Sequence, residues 1–261
     1  MIDRDLVSRL ARLRGVKPFQ EEKTYIQVLI LRSIYLRVAR DLVFKGGTAL
    51  YLFNGLNRFS EDLDFTIAKL NGIDEVINET LKDLQIIGVR GIVKHVSNMR
   101  DSISFKFSCE GPLYTTDASK VTVRVEISTR EKTLLDPDLL TFDPIYQDVL
   151  PFTCTVMNRR EIQSEKVRAI LTRNKARDLY DLWFLFKRSN GEFCNLEMIN
   201  SKLSYYSREY QQPDFIEAME DKRSSWLSEL NPVIIGKIPD FDTLVGEVTE
   251  FMSSIVSRNR T

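Results

Sequence analysis

Histidine is almost absent from this chain, and its scarcity limits the chemistry that the protein can perform. The 261 residues include a single histidine, His95. One imidazole cannot build a histidine-rich zinc site or a paired-histidine phosphodiesterase centre. His95 lies in the strand-like segment GIVKHVS, and we assign it no role. Any catalysis would therefore depend on carboxylates, lysines, arginines and bound metal ions.

Cysteine is also scarce, and its spacing argues against structural cross-links. The three cysteines, Cys109, Cys154 and Cys194, lie far apart and form no Cys-x-x-Cys motif. An odd, scattered set of cysteines is typical neither of a disulfide framework nor of a zinc site, and it suits a reducing compartment. We therefore expect a cytoplasmic protein.

The chain lacks a long uninterrupted apolar segment. Its longest apolar region, Tyr25–Val43, contains the charged residues Arg32, Arg37, Arg40 and Asp41. The N-terminal segment MIDRDLVSRLARLRG is amphipathic and charged, which does not match a secretory signal peptide. We predict no membrane-spanning segment.

An excess of charge of either sign is missing as well. Lysine and arginine together number 37, and aspartate and glutamate together also number 37. No general positive field would attract nucleic acid to such a chain, so a polynucleotide partner would need a local basic patch.

Hydrophobic periodicity divides the chain into a mixed part and a helical part. Helical spacing of apolar residues predicts helices at 3–14, 20–42 and 73–88. Strand-like segments lie among these helices: LVFKGG, EDLDFTIA, RGIVKHVSN, SISFKFSCE, KVTVRVEIST and FTCTVM. Residues 131–150, rich in aspartate and proline, are predicted to be an irregular connection.

Beyond residue 158 strand signals are few, and helical periodicity continues in several segments, among them residues 214–230. We therefore predict an α+β fold, in which a mixed sheet with flanking helices occupies residues 1–157. A helical C-terminal domain then occupies residues 158–261.

A glycine pair followed by two aspartates is the strongest chemical signal. Gly46 and Gly47 follow a strand and precede a predicted helix that Thr48 could cap. Glycines there let the backbone approach a phosphate, and the helix N-terminus favours an anion. Asp62 and Asp64 lie two apart on a predicted strand, so both carboxylates face one side. Such a pair is typical of a site for a hard divalent cation.

A third carboxylate follows on another predicted strand. In VTVRVEIS the valines alternate with polar residues, so Glu126 points away from the valine face. If this strand neighbours the strand of Asp62 and Asp64, the three acids meet on one sheet surface. Without a cation this cluster would be repulsive, which favours bound metal ions and phosphoryl-transfer chemistry.

These motifs together resemble a known family. GG[T/S], a helix and SEDLDF resemble the signature of nucleotidyltransferases such as DNA polymerase beta and the aminoglycoside nucleotidyltransferases. The fuller pattern, KGGTAL and RFSEDLDF with VRVEIS and EKVRAILTRNKARDLYDLWFL, resembles the AbiEii-type nucleotidyltransferase toxins of toxin–antitoxin and phage-defence systems. The resemblance covers roughly residues 20–190, and Thr48 replaces the more usual serine.

The resemblance implies a nucleotidyltransferase-like fold and a set of ligands. It implies a nucleoside triphosphate as substrate, Mg²⁺ or Mn²⁺ held by Asp62, Asp64 and Glu126, and an RNA acceptor, for which the 3′ end of tRNA is a candidate. A cognate antitoxin protein is the further partner that it implies. The nucleotide base and the oligomeric state stay open.

The helical part supplies further candidates. Helix spacing brings Lys166 and Arg173 together, where both could hold the triphosphate, and Asp178 and Asp181 follow on the next helix. The resemblance implies that Lys166 and Asp181 are catalytic, and Asp178 is a nucleotide-binding candidate beside Arg173. Lys45 is a weaker phosphate candidate, and Arg58 with Ser60 is weaker still. The alternative for this region is a structural network of ion pairs.

Other functions are compatible with the same residues. The acceptor could be a protein hydroxyl or a small molecule such as an antibiotic. A non-catalytic protein that binds nucleotide or a partner is a second alternative, although the intact Asp-x-Asp motif argues against it. A metal-dependent nuclease would leave the glycine turn unexplained.

Overall fold

The computed structural model describes residues 1–68, 72–99 and 101–258. The chain forms two compact units. The first contains Met1–Gly55 and Phe59–Met157, and the second contains Leu56–Arg58 and the chain from Asn158 onward. The sequence pattern gave no indication that Leu56–Arg58 belongs with the helical residues.

Four helices accompany the sheet of the first unit. They are α1 (Arg4–Arg14), α2 (Pro18–Val38), α3 (Gly46–Phe53) and α4 (Ile73–Ile86). Local chemistry sets the ends of α1, because the Asp3 carboxylate accepts a hydrogen bond of 2.7 Å from the Leu6 N–H. At the other end Gly15 adopts the left-handed conformation that ends many helices.

The first unit contains a seven-stranded mixed sheet. Its strands are β1 (Leu42–Lys45), β2 (Leu63–Ile67), β3 (Arg90–Met99), β4 (Ser102–Glu110), β5 (Val121–Ser128), β6 (Asp138–Phe142) and β7 (Phe152–Val156). Their order across the sheet is β3-β4-β5-β2-β1-β7-β6. Strand β2 is antiparallel to β1 and parallel to β5, so β2 lies between the glycine turn and the strand of Glu126.

Alternating burial gives the sheet two chemically different faces. Leu63 and Phe65 of β2 and Val123 and Val125 of β5 are buried in the hydrophobic core of the first unit. We call this side the core face. The residues between them have their side chains on the opposite side, which we call the polar face, because successive side chains of a strand alternate.

Three elements differ from the sequence prediction. Helix α2 ends at Val38 instead of residue 42, because Ala39 has a φ of 42° and β1 starts at Leu42. Residues 131–150 are not wholly irregular, since they contain β6, which pairs with β7. The predicted helical segment 214–230 is divided into two helices by a short 3₁₀ turn.

The second unit is helical. It contains α5 (Arg159–Thr172), α6 (Ala176–Lys187), α7 (Leu196–Ser204), α8 (Gln212–Glu220), α9 (Trp226–Leu230) and α10 (Phe241–Arg258). Helix α6 packs against α5, α9 and α10, and α5 also packs against α7 and α8. None of the helices in the described ranges combines the length and apolarity needed to cross a bilayer.

Candidate active site

Gly46 and Gly47, which we call the glycine turn, directly follow β1 and are the first two residues of α3. Gly46 has a φ of 75°, which favours glycine over any residue with a side chain. A Cβ at this position would collide with the carboxylate of Asp64. Gly46 therefore leaves room for an acidic side chain on the neighbouring strand as well as for a close backbone approach. The predicted strand and helix are confirmed, but no separate turn lies between them, because the positive φ of Gly46 changes the chain direction at the first residue of α3.

Thr48 does not cap α3, contrary to the sequence interpretation. The helix already begins at Gly46, and Lys45 occupies the capping position. The Thr48 side chain is buried, and its hydroxyl donates a hydrogen bond to the backbone carbonyl of Asp62. This bond connects the first turn of α3 to the segment that enters β2. A direct contact between Thr48 and nucleotide stays a prediction.

The two aspartates lie at the start of β2. Asp62 is exposed and directly precedes the strand, whereas Asp64 lies within it and is half-buried. Leu63, between them, is fully buried in the core. This alternation agrees with the expectation that the carboxylates and Leu63 have opposite directions.

Glu126 is the direct neighbour of Asp64 across the sheet. The two residues are paired positions of the parallel strands β2 and β5, and Asp64 is also paired with Lys45 of β1. Residues at paired positions have their side chains on the same face, a few ångströms apart. The carboxylates of Asp64 and Glu126 therefore share the polar face beside the glycine turn.

Arg124 accompanies Glu126 on the same strand face. Its guanidinium lies 3.3 Å from a carboxylate oxygen of Glu126, and its Nε donates a 3.1 Å hydrogen bond to Ser104. About half of the Glu126 side chain is accessible, at 46%, and that of Arg124 is 42% accessible. Sequence reasoning missed Arg124, although its position two residues before Glu126 places it on the same face.

The carboxylates of Asp64 and Glu126 are donors of the type that a hard divalent cation prefers. Asp64 and Glu126 are side by side, and Gly46 has no Cβ to fill the space beside the Asp64 carboxylate. Among the residues that the structure describes, however, no three acidic, cysteine or histidine side chains are gathered closely enough to hold a metal ion. Binding by Asp62, Asp64 and Glu126 would therefore require these side chains to rotate together, and the predicted metal set stays a prediction.

The candidates of the helical unit form a buried network of charges. The Lys166 ammonium lies 2.8 Å from an oxygen of Asp178 and 2.7 Å from an oxygen of Asp181. Arg58 donates two hydrogen bonds to the Asp181 carboxylate, of 2.6 Å and 2.7 Å. Arg173 donates two hydrogen bonds to the Asp178 carboxylate, of 2.7 Å and 2.9 Å. Three cations thus enclose two carboxylates.

Burial and ion pairing have opposite effects on the charge states of this network. Burial alone would raise the pKa of Asp178, but Lys166 and Arg173 outweigh it and hold that pKa below its ordinary value. Burial would likewise raise the pKa of Asp181, and Arg58 and Lys166 lower it. Burial would lower the pKa of Lys166, yet the two aspartates raise it. All the members are charged at neutral pH.

The network includes Arg58, for which the sequence predicts only a weak phosphate contact. Its side chain is 4% accessible and donates two hydrogen bonds to the fully buried Asp181. No local pattern connects positions 58 and 181, although the acidic pair on α6 does signal a need for cations. The roles of Lys166 and Asp181 in catalysis, and of Arg173 and Asp178 in nucleotide binding, stay predictions, as does Lys45 as a phosphate contact.

Known proteins resemble the chain in sequence and fold. Residues 30–247 match the family described as nucleotidyl transferase AbiEii toxin, type IV TA system. No curated protein sequence matches the chain. A solved structure of a candidate nucleotidyltransferase from Helicobacter pylori is 24% identical, covering 91% of this chain and 96% of that chain, with a TM-score of 0.64.

Two further solved structures have comparable similarity. JHP933 from Helicobacter pylori is 22% identical, covers 92% of this chain and 92% of that chain, and has a TM-score of 0.62. The nucleotidyltransferase toxin MenT4 from Mycobacterium tuberculosis H37Rv is 22% identical, covers 96% of this chain and 88% of that chain, and has a TM-score of 0.65. At these identities the likeness establishes the fold, and it confirms the predicted α+β class.

Proposed function

Because the chain belongs to the AbiEii family of nucleotidyltransferase toxins, we propose that it transfers a nucleoside monophosphate from a nucleoside triphosphate to an RNA hydroxyl. Family membership makes it a nucleotidyltransferase toxin of a toxin–antitoxin system. The nucleotide, the metal ion and the acceptor are the parts that we add. The observation that supports them best is the pairing of Asp64 with Glu126 beside the glycine turn.

The start of α3 is where we propose that the triphosphate binds. The first turn of a helix leaves backbone N–H groups without intrahelical partners, and the helix dipole favours an anion there. Gly46 and Gly47 bring no side chain that would keep phosphates away from these groups. In our proposal the phosphates lie against this turn.

The carboxylates would hold the divalent ion and take part in proton transfer. Asp62, Asp64 and Glu126 are the residues that would bind Mg²⁺ or Mn²⁺. When bound, such an ion offsets the phosphate charge and lowers the pKa of a hydroxyl that it contacts. Glu126 is accessible enough to receive the proton of the acceptor hydroxyl.

The reaction is an in-line displacement at phosphorus. The acceptor oxygen forms a bond to the α-phosphorus while the bond between that phosphorus and the bridging oxygen of the β-phosphate breaks. Pyrophosphate leaves with the electron pair of the broken bond, and the hydroxyl proton passes to a carboxylate. The products are the nucleotidylated acceptor and pyrophosphate.

RNA is the acceptor that we propose, with the 3′ end of tRNA as the first molecule to test. The resemblance to the toxin family favours it, and the same family description implies an antitoxin that restrains the protein. The test incubates the protein with each α-labelled nucleoside triphosphate, with Mg²⁺ and with total RNA, and separates the products on a denaturing gel. An Asp64→Asn variant serves as the control.

Label in RNA that depends on Mg²⁺ and on Asp64 is the expected result. Label in protein or in a small molecule instead would show a different acceptor and overturn the RNA proposal. Transfer that continues in the Asp64→Asn variant would remove these carboxylates from the mechanism.

A further inference from the structure

Three basic residues form a row across adjacent strands of the polar face. Lys94 of β3 is paired with Lys106 of β4, and Lys106 is paired with Arg124 of β5. Because paired residues have their side chains on the same face, the three cations lie side by side over two strand spacings, roughly 10 Å. We call Lys94, Lys106 and Arg124 the cationic row.

The cationic row lies directly beside the candidate carboxylates. Arg124 is two residues from Glu126 on β5, so both side chains lie on the polar face, roughly 7 Å apart along the strand. The cationic row therefore runs beside the Asp64–Glu126 pair. Lys94 is exposed, Lys106 is half-buried and Arg124 is partly exposed. A ligand on these cations would therefore reach the carboxylates without leaving the sheet surface.

The row costs folding free energy unless something neutralises it. Like charges at directly paired positions of a sheet are destabilising. Across the described ranges of the chain, neither Lys94 nor Lys106 forms an ion pair with a carboxylate within 4.0 Å. The nearby carboxylates of Glu110 and Asp117 are paired with Lys120.

Arg124 lies 3.3 Å from Glu126, and Asp117 attracts Lys94 electrostatically. Because Asp117 is itself paired with Lys120, the positive charge of the row still exceeds the negative charge beside it. The chain has no net charge as a whole, so this local excess is not part of a general basic character.

We infer that the cationic row binds the sugar–phosphate backbone of the RNA acceptor and directs its terminal hydroxyl to the carboxylates. This inference rests on the proposed function, in which the acceptor is RNA. A linear array of cations on one sheet surface fits a chain of successive phosphates, which are anions at regular spacing. In the proposed function, the triphosphate of the nucleotide lies at the glycine turn, next to β1 and on the other side of β2 from the cationic row.

The test measures RNA binding separately from catalysis. A fluorescently labelled single-stranded RNA is titrated with the protein, without nucleotide, at several salt concentrations. The variant Lys94→Gln/Lys106→Gln removes two charges and leaves Arg124 and its contact with Glu126 intact. The logarithm of the association constant should depend on the logarithm of salt with a slope smaller by about 1.4, since each contact to single-stranded nucleic acid contributes about 0.7.

A matched control removes two charges elsewhere. Arg9 on α1 and Lys82 on α4 are exposed residues of the same unit, and α4 packs on the core face through Val76 and Leu84. Arg9→Gln/Lys82→Gln should keep the wild-type slope, whereas the row variant should bind RNA at least about tenfold more weakly at low salt. Lys94→Arg/Lys106→Arg keeps both charges and should bind RNA as the wild type does.

The outcomes separate the inference from the proposed function. Unchanged slope and affinity in the row variant would overturn the inference, and the function would stand if RNA still accepts label. Row-dependent RNA binding without any label transfer would keep the inference and remove the function. A wild-type protein that binds an acidic partner protein through the row, but no RNA, would overturn the inference.

Discussion

The acidic residues of the two units differ in their solvent exposure and in their ion pairing. In the sheet unit, Glu126 is 46% accessible and shares the polar face with Asp64. In the helical unit, Asp178 and Asp181 are almost completely buried, and three cations of the same unit neutralise them. The first arrangement leaves a carboxylate accessible to a ligand, whereas the carboxylates of the second are already paired with cations.

This difference shows that acidic residues that belong to the same family pattern can have different physical roles in the two units. A buried ion pair tolerates neither the loss of one partner nor an added charge, because the remaining ion has no water around it. Replacing an exposed carboxylate changes the free energy of unfolding of the protein only slightly. Such residues can therefore take part in catalysis without being needed for the fold. Variants in the two units should therefore fail in different ways.

The largest effect is expected at Asp64. Asp64→Asn keeps the shape of the side chain but removes a charged metal donor, so transfer should fall at least about a hundredfold. The melting temperature should stay close to that of the wild type, since the position is only half-buried. A large decrease in melting temperature together with the loss of activity would contradict the assignment of Asp64 to catalysis instead of folding.

Arg58 provides the opposite case. Arg58→Met leaves the buried Asp181 with Lys166 as its remaining cation in this network, and it should cost about 3–5 kcal/mol of unfolding free energy. Thermal denaturation measures the loss. The double variant Arg58→Met/Asp181→Leu should recover part of it, because an apolar pair has no desolvation cost. A single variant as stable as the wild type would show that the pair is dispensable.

Gly46→Ala tests whether the glycine turn serves Asp64. The positive φ alone should cost about 1–2 kcal/mol, and the new Cβ should displace the carboxylate and reduce transfer. Gly88→Ala is a matched control, since Gly88 has a φ of 89° and no atom near the added Cβ. The control should lose stability and keep its activity. Loss of activity in both variants would make strain, not Asp64, the cause.

A smaller effect is expected at Thr48. Thr48→Val removes the hydroxyl that binds the Asp62 carbonyl, at a cost of about 1 kcal/mol. Transfer should fall because the entry to β2 is less well held, whereas Thr48→Ser should behave as the wild type. Denaturant titration and steady-state kinetics on both variants measure this, and an active valine variant would remove the positioning role.

The smallest effect is a dependence on pH. Cations lower the folded-state pKa values of Asp178 and Asp181 below those of the unfolded chain, which lie near about 3.9. Their stabilisation is therefore complete above that value and decreases as the pH falls through the lowered values. The difference in melting temperature between the wild type and Asp178→Asn should narrow below about pH 4. A constant difference would contradict these shifts.

The sequence predicted much of the sheet but not all of it. Alternation of valines with polar residues identified β5 and the direction of Glu126, because period two is a local property of a strand. Strand β6 was missed because it lies at the sheet edge within a segment rich in aspartate and proline, and its pairing with β7 is what defines it. The end of α2 was misplaced because Ala39 leaves the helix without a glycine or proline to mark it.

The candidate site divides in the same way. The glycine pair, the Asp-x-Asp spacing and the family resemblance were readable from the sequence alone, since they are short patterns with a physical meaning. That Asp64 adjoins Glu126, that Lys94, Lys106 and Arg124 form one row, and that Arg58 binds Asp181 were decided only in the tertiary structure. Periodicity sets the face on which a side chain lies, but the neighbour it meets there depends on which distant strands and helices pair, and no local pattern encodes that choice.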